Sequence, residues 1–199
     1  MKGRLEARRS SSSFIAPRSA LSRASLVFKS PWGWIGVEAS ARGITRITLT
    51  LKARQPPAPR KPSHAETEGR EAARWLEQAQ REIQHFLSGE LDRFTCPVDV
   101  TDATSFQRAV WRTAAHIPYG RVRSYQWIAA RLGKPHAARA VGNALGANPV
   151  PLVIPCHRVV AADASLGGFS CGLHWKRRLL ELEGSLGRLG GMVKFKVKN

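Results

Sequence analysis

The sequence predicts an α+β fold: a small N-terminal antiparallel sheet with one helix, followed by a mainly helical C-terminal domain built around a helix-turn-helix. Three observations predict it. Residues 26–51 alternate apolar and polar side chains around tight turns, residues 70–89 carry a single apolar stripe at helical spacing, and residues 104–146 hold three short helical patterns separated by Gly and Pro.

In chain order, residues 1–25 are rich in Arg and Ser and contain one acid, Glu6. Two readings stay open for them, a disordered basic tail or an organelle transit peptide. "LVFKSPWGWIGVEAS" sets Pro31-Trp32-Gly33 as a turn between two apolar segments, and "GITRITLTL" alternates Ile44, Ile47 and Leu49 with polar residues. Together with the following helix these make an N-terminal domain over 26–98. Residues 52–69, with four prolines and no periodicity, read as a loop or linker. Next, "REAARWLEQAQREIQHFLSGE" puts Ala72, Leu76, Ala79, Ile83, Phe86 and Leu87 on one face and stops near Gly89.

The C-terminal domain, 99–187, begins its first helix at Thr104 or Ser105 as N-cap and closes it before Pro118 and Gly120. "SYQWIAARLG" is a second helix, capped by Ser124 and stopped by Gly133; "HAARAVGNALGANP" is a third, with Ala or Gly at nearly every second position. The last two, joined across Gly-Lys-Pro and both basic, fit a helix-turn-helix. Their small side chains suit either close approach to a DNA backbone or tight packing within the protein. Leu152, Val153 and Ile154 read as a short buried strand, and "AADASLGGFSCG" as a Gly/Ser-rich loop. "LHWKRRLLELEG" is an amphipathic helix, and residues 188–199 form a basic tail.

Charge narrows the function. Lys and Arg number 32 against 14 Asp and Glu, a net charge of +18, which predicts a polyanionic partner, nucleic acid ahead of anionic lipid. From Gln107 onward the carboxylates are Asp163, Glu181 and Glu183, against fifteen Lys or Arg, so the C-terminal half is the expected contact surface. Nothing in the sequence has the length and apolarity of a membrane span, which predicts a soluble protein. The three cysteines, Cys96, Cys156 and Cys171, show no CxxC spacing. That argues against a disulfide framework and a zinc site, and for a reducing compartment.

The chemistry concentrates in "LVIPCHRVV". A nucleophilic cysteine needs thiolate character, which an imidazole oriented by a carboxylate supplies. Adjacent residues on an extended strand face opposite ways, so His157 reaches Cys156 only through a turn, which Pro155 permits, or a bridging water. A Cys156, His157, Glu183 relay is one reading; inert packing of a buried cysteine, with Arg158 as a surface charge or salt bridge, is the other.

"NPVPLVIPCHRVV", with "RAVGNALGANP" before it and "GGFSCGLHWKRRLLELEG" after it, closely resembles the O6-alkylguanine-DNA alkyltransferases, the methylated-DNA-protein-cysteine methyltransferases. The likeness runs from about Phe106 to Gly184 and is weaker over 26–90. The resemblance implies direct-reversal DNA repair. Cys156 would take an alkyl group from O6 of a flipped guanine, or O4 of thymine, and keep it as a thioether. His157 would act through a water as the base, Glu183 would hold the imidazole, and Asn148 would brace the active-site turn. It implies that Tyr125 donates toward N3 of the leaving guanine, that Ser170 and Lys176 line the pocket, and that Arg139 enters the duplex in place of the flipped base. It also sets Phe169, Val159, Ser124 and Arg158 among the substrate- and DNA-binding residues.

The partner implied is double-stranded DNA entered through the minor groove, by a monomer in the cytoplasm or nucleoid, or in a nucleus or organelle. No cofactor, metal or obligate protein partner is expected. Two departures from the family pattern stand out. Cys171 replaces the usual glycine beside the pocket, and no Cys/His cluster matches the zinc site or the metal-bound regulatory domain found in some members. Two rival readings are a non-repairing lesion binder, whose family counterparts lack the acceptor cysteine, and a cysteine hydrolase using Cys156 and His157.

Overall fold

The computed structural model describes residues 24–50 and 66–190. The readings of residues 1–23, of most of the Pro-rich loop and of residues 191–199 lie outside them. Strands β1 (Ala24–Ser30), β2 (Gly33–Ser40) and β3 (Gly43–Thr50) form an antiparallel meander in the order β1-β2-β3. The first strand starts at Ala24, two residues before the alternation becomes visible in the sequence. Ile35, Val37, Ile47 and Leu49 turn to one buried face by period-2 alternation, and a register shift opposite Glu38 and Ala39 leaves Ile44 buried as well. Helix α1 (Glu66–Leu87) lays Ala72, Leu76, Ala79, Ile83 and Phe86 on that face. It begins a turn earlier than its apolar stripe, because its first residues face solvent and carry no periodic signal.

The second half contains α2 (Ser105–Ala115), β4 (Arg123–Ser124), α3 (Tyr125–Arg131), α4 (Ala138–Gly146), β5 (Val159–Val160), α5 (Leu173–Leu182) and α6 (Ser185–Gly190). Thr104 caps α2 in a reciprocal box with Gln107. Ser124 caps α3 by accepting from Trp127 N–H at 3.0 Å. Helices α2, α3 and α4 pack together, with Trp111 donating from its indole to the Ala144 carbonyl at 2.8 Å. The α3–α4 pair is the helix-turn-helix. Residues 185–190, read in part as tail, form the short helix α6 instead.

The two halves share one apolar core, which runs from Phe28 and Ile35 through Phe86, Trp111 and Ile128 to Trp175. The seam is also hydrogen-bonded: Ile44 N–H donates to Pro97 O at 2.8 Å and Ile47 N–H to Pro149 O at 2.9 Å. Gly43 sits at this seam with φ +145°, and a Cβ there would lie 2.5 Å from Pro97 O. A positive φ and a touching backbone together leave room for glycine alone. Trp32 stacks against Trp175 at 5.6 Å under the guanidinium of Arg178, so the β1–β2 turn is pinned to α5.

Candidate active site

Three consequences of local sequence converge on Cys156. Residues 149–155 carry three prolines among apolar side chains, and they fold as a turn where the sequence reading had a strand. Pro151 and Ile154 meet in an isolated bridge, and Leu152 adopts φ 76°. Proline denies the segment a ladder of N–H donors, and a leucine in the left-handed region is costly unless its surroundings hold it. Asn148 does the holding. Its Oδ1 accepts from Val150 N–H at 3.0 Å, and its Nδ2 donates to Ile154 O at 3.0 Å and to Cys156 Sγ at 3.1 Å, all buried.

Cys156–Arg158 then form a single 3₁₀ turn, and β5 continues parallel to β4 with Arg123 opposite Val159 and Ser124 opposite Val160. This turn is the device that lets neighbouring residues serve one site. Cys156 lines a cleft of about 510 Å³, while His157 points into the core. His157 Nε2 pairs with Glu183 Oε1 at 2.8 Å, both fully buried, while Nδ1 has no protein partner. With Nε2–H donated to the carboxylate, Nδ1 is the lone-pair nitrogen left to accept a proton. Glu183 is the C-cap of α5, which explains why the carboxylate reaches back under the turn.

The electrostatics describe a thiol at rest. Burial pushes Cys156 up to about 11, against the opposing Asn148 hydrogen bond. Ionising such a thiol at neutral pH costs on the order of 5 kcal/mol. Burial likewise lowers His157, although its bond to Glu183 pulls the other way. For Glu183, burial works to raise the carboxyl, but bonds to His157 and Arg158 outweigh it and hold it below its usual range. Lys176 has no exposed surface, and burial takes it down to about 8. Tyr125 is raised by burial, so its phenol keeps the proton it can donate.

The cleft is walled by Tyr125 and Gln126 of α3, Arg139, Gly142 and Asn143 of α4, and Phe169 and Ser170 of the loop before α5. Arg139 is exposed at the rim. Tyr125 Oη donates to Gly168 O at 3.4 Å, and Phe169 sets its ring edge-on to His157 at 6.5 Å. The structure thus brings Cys156, His157, Glu183, Asn148, Tyr125, Arg139, Phe169 and Ser170 together. Four other residues named with the site do not line this cleft. Lys176 sits behind the wall, its Nζ donating to Val159 O at 2.6 Å and Gly168 O at 3.2 Å. The side chain of Val159 is in the core, so only its backbone borders this region. Ser124 uses its hydroxyl on the α3 cap. Arg158, read as DNA-binding, as a surface charge or as a salt-bridge partner, is buried in a salt bridge: its guanidinium forks onto Glu183.

Sequence reasoning missed Tyr119, Gly120 and Gly167. Gly120 N–H donates to Glu183 Oε2 at 3.3 Å and Tyr119 Oη to Leu182 O at 3.1 Å; the "IPYG" turn was visible only as a helix stop. Gly167 lies under Tyr125 with φ +64°, where a Cβ would be 2.7 Å from the phenol oxygen. Among the described residues no three His, Cys, Asp or Glu side chains gather as a metal site would need, and no helix is long and apolar enough to cross a membrane.

Comparison with known proteins agrees with this geometry. Residues 105–185 match the family model of the 6-O-methylguanine DNA methyltransferase DNA-binding domain. The chain is 35% identical over 159 residues to the methylated-DNA–protein-cysteine methyltransferase of Methanosarcina acetivorans, covering 80% of this chain and 97% of that one. It is 42% identical over 113 residues to the Methanosarcina barkeri counterpart, covering 57% and 71%. Among solved structures it is similar to Mycobacterium tuberculosis OGT in complex with DNA, with 33% identity, a TM-score of 0.66, and 81% and 92% of the two chains covered. Similarity at 35% identity over 97% of the Methanosarcina acetivorans protein, with the family model matched over residues 105–185, makes this chain a member of the methylated-DNA–protein-cysteine methyltransferase family.

Proposed function

We propose that the protein repairs alkylated DNA by moving the alkyl group from O6 of guanine, and from O4 of thymine, onto Cys156, once per molecule. The observation that carries this is the placement of the Cys156 thiol at the floor of a cleft facing α3 and α4, with a buried His157–Glu183 pair directly behind it. A base inside a duplex cannot reach such a floor, so the lesion must leave the stack. Arg139, exposed at the rim, fills the gap in the duplex. The Ala- and Gly-rich α4 suits close approach in the minor groove, where phosphate contacts suffice and no base code is needed.

Chemically, the thiol proton passes to His157, through a water. The Sγ–carbon bond forms as the carbon–O6 bond breaks, and the bonding pair goes to the guanine. Tyr125 donates toward N3 of that leaving group and lowers the barrier. Asn148 donates to the developing thiolate, and Lys176 places positive charge near it. The products are unmodified guanine and a thioether, which has no hydrolytic route back to a thiol. The protein is a monomeric, stoichiometric reagent.

Intact mass before and after incubation with an O6-methylguanine oligonucleotide tests the reading. One methyl per molecule, mapped to Cys156, is the expected result, and Cys156→Ala retains DNA binding without gaining mass. Methyl transfer that survives Cys156→Ala would sink the assignment. Lesion binding by the wild-type protein without any mass change would point instead to a non-repairing binder.

A further inference from the structure

Beneath the acceptor lies a charged side chain to which the thiol–imidazole–carboxylate relay gives no part. Arg158 donates from Nε to both oxygens of Glu183, at 3.1 and 3.0 Å, and from one terminal nitrogen to Oε1 at 3.0 Å. Its other terminal nitrogen donates to Ile117 O at 2.8 Å. The guanidinium lies over the ring of Tyr119 at 5.7 Å, and Gly120 N–H closes on Oε2. Oε1 therefore serves His157 and Arg158 together. A forked guanidinium bond fixes the plane of a carboxylate in a way a single donor does not.

We propose that Arg158 is a positioning residue: by sharing Glu183 with His157 it neutralises the carboxylate, fixes its plane, and keeps His157 an unprotonated imidazole with Nδ1 free to accept a proton. A carboxylate alone with a buried imidazole would hold a proton on it, because an ion pair is favoured over two isolated groups where the dielectric is low. With a guanidinium already opposite Glu183, a proton added to His157 leaves a net buried charge, which burial penalises. The remaining groups around the imidazole act in the same sense. Lys176 on α5 adds a second repelling cation. Cys156 contributes a neutral thiol and Tyr119 a neutral phenol. Asp92, in the segment after α1, exerts its charge on Tyr119. Glu183 alone favours the protonated ring, and Arg158 offsets it. The inference rests on the alkyl-transfer reading for its purpose, and on the hydrogen bonds above for its substance.

The test is a pH titration of the His157 ring by nitrogen-15 NMR on the full chain, wild type against Arg158→Gln and Arg158→Lys, with single-turnover methyl transfer measured on the same samples. Arg158→Gln should raise the proton affinity of His157 by about tenfold or more. Arg158→Lys, which restores the charge without the fork, should titrate close to wild type yet transfer methyl at least about tenfold more slowly. A folded Arg158→Gln with an unmoved His157 midpoint overturns the proposal. If Arg158→Gln does not fold, Arg158→Lys decides: a wild-type transfer rate in it also overturns the proposal. A midpoint that moves as stated in a protein whose wild type transfers no methyl would remove the alkyl-transfer reading and leave the role of Arg158 intact.

Discussion

Replacing Asn148 separates the architecture of the acceptor turn from its electrostatics. In Asn148→Ala, Val150 N–H loses its side-chain acceptor, whereas Ile154 O keeps the Cys156 N–H at 2.8 Å. One stranded buried donor costs about 1–3 kcal/mol, and the turn that holds Leu152 at φ 76° loses its brace, so the variant should be destabilised by roughly 2–4 kcal/mol. The bond from Nδ2 to Sγ at 3.1 Å strengthens as the sulfur becomes anionic. Its loss should therefore remove about 1.5–3 kcal/mol from the transfer step, a slowing of about 10- to 150-fold. Asn148→Asp keeps an acceptor for Val150 but sets a carboxylate against the nascent thiolate. Its denaturation midpoint should fall at least as far as that of the alanine variant, because the carboxylate is buried without a cation and faces Ile154 O, and its rate should fall at least as far too. Urea denaturation gives the first quantity and rapid-quench mass spectrometry with O6-methylguanine DNA gives the second. A folded Asn148→Asp that transfers methyl within about threefold of wild type would refute the reasoning, because the donor to sulfur would then contribute nothing.

Gly167→Ala should force Tyr125 out of position, since the new Cβ would lie 2.7 Å from its hydroxyl oxygen, and should slow transfer more than it weakens DNA binding; equal losses in both would refute this. Cys171→Gly should speed reaction with O6-benzylguanine more than with O6-methylguanine, measured as second-order rate constants, and equal ratios before and after would show that Cys171 does not gate the cleft. Stability should fall with acid in two stages. The lowered His157 makes the unfolded chain take up a proton first once pH drops below about 6.5, and the lowered Glu183 repeats this below about 4.5. Urea midpoints that match at pH 8 and pH 5 would contradict the first shift, and midpoints that match at pH 5 and pH 3 would contradict the second.

The sequence made legible what local physics decides. Thr104 and Ser124 announce helix starts because an N-cap is set by its own hydroxyl and the next few amides. The stripe of α1 is visible because one face meets one sheet. Residues 152–154 were misread because three apolar side chains in a row suit a buried strand and a buried turn equally. The difference lies in Asn148, whose hydrogen bonds to the backbone at 150 and 154 carry no signature in an apolar pattern. For Arg158 the salt bridge was one of the readings, but its burial and its partner were not visible, for a related reason. A basic residue is exposed by default, and its burial follows only from Glu183, twenty-five positions later, reaching it from the end of another helix. Glu183 itself was found because carboxylates are so scarce in this half of the chain.

The protonation state of the site follows from the same burial that hid it. With burial pushing it up to about 11, Cys156 rests as a thiol at neutral pH, which makes it a poor target for solvent-borne electrophiles and oxidants. For a reagent consumed in one reaction, that inertness matters more than speed toward small molecules. Reactivity has to be supplied by the bound lesion. On the proposed function, a base filling the cleft would exclude water, bring the alkyl carbon to Sγ, and present Tyr125 with a nitrogen to protonate as charge develops. Asn148 and Lys176 would then stabilise the sulfur as it ionises, and His157, kept unprotonated by the Arg158–Glu183 pair, would have a vacant nitrogen for its proton. In this reading the thiolate exists only along the path to the thioether, and burial of the sulfur keeps it from forming beforehand.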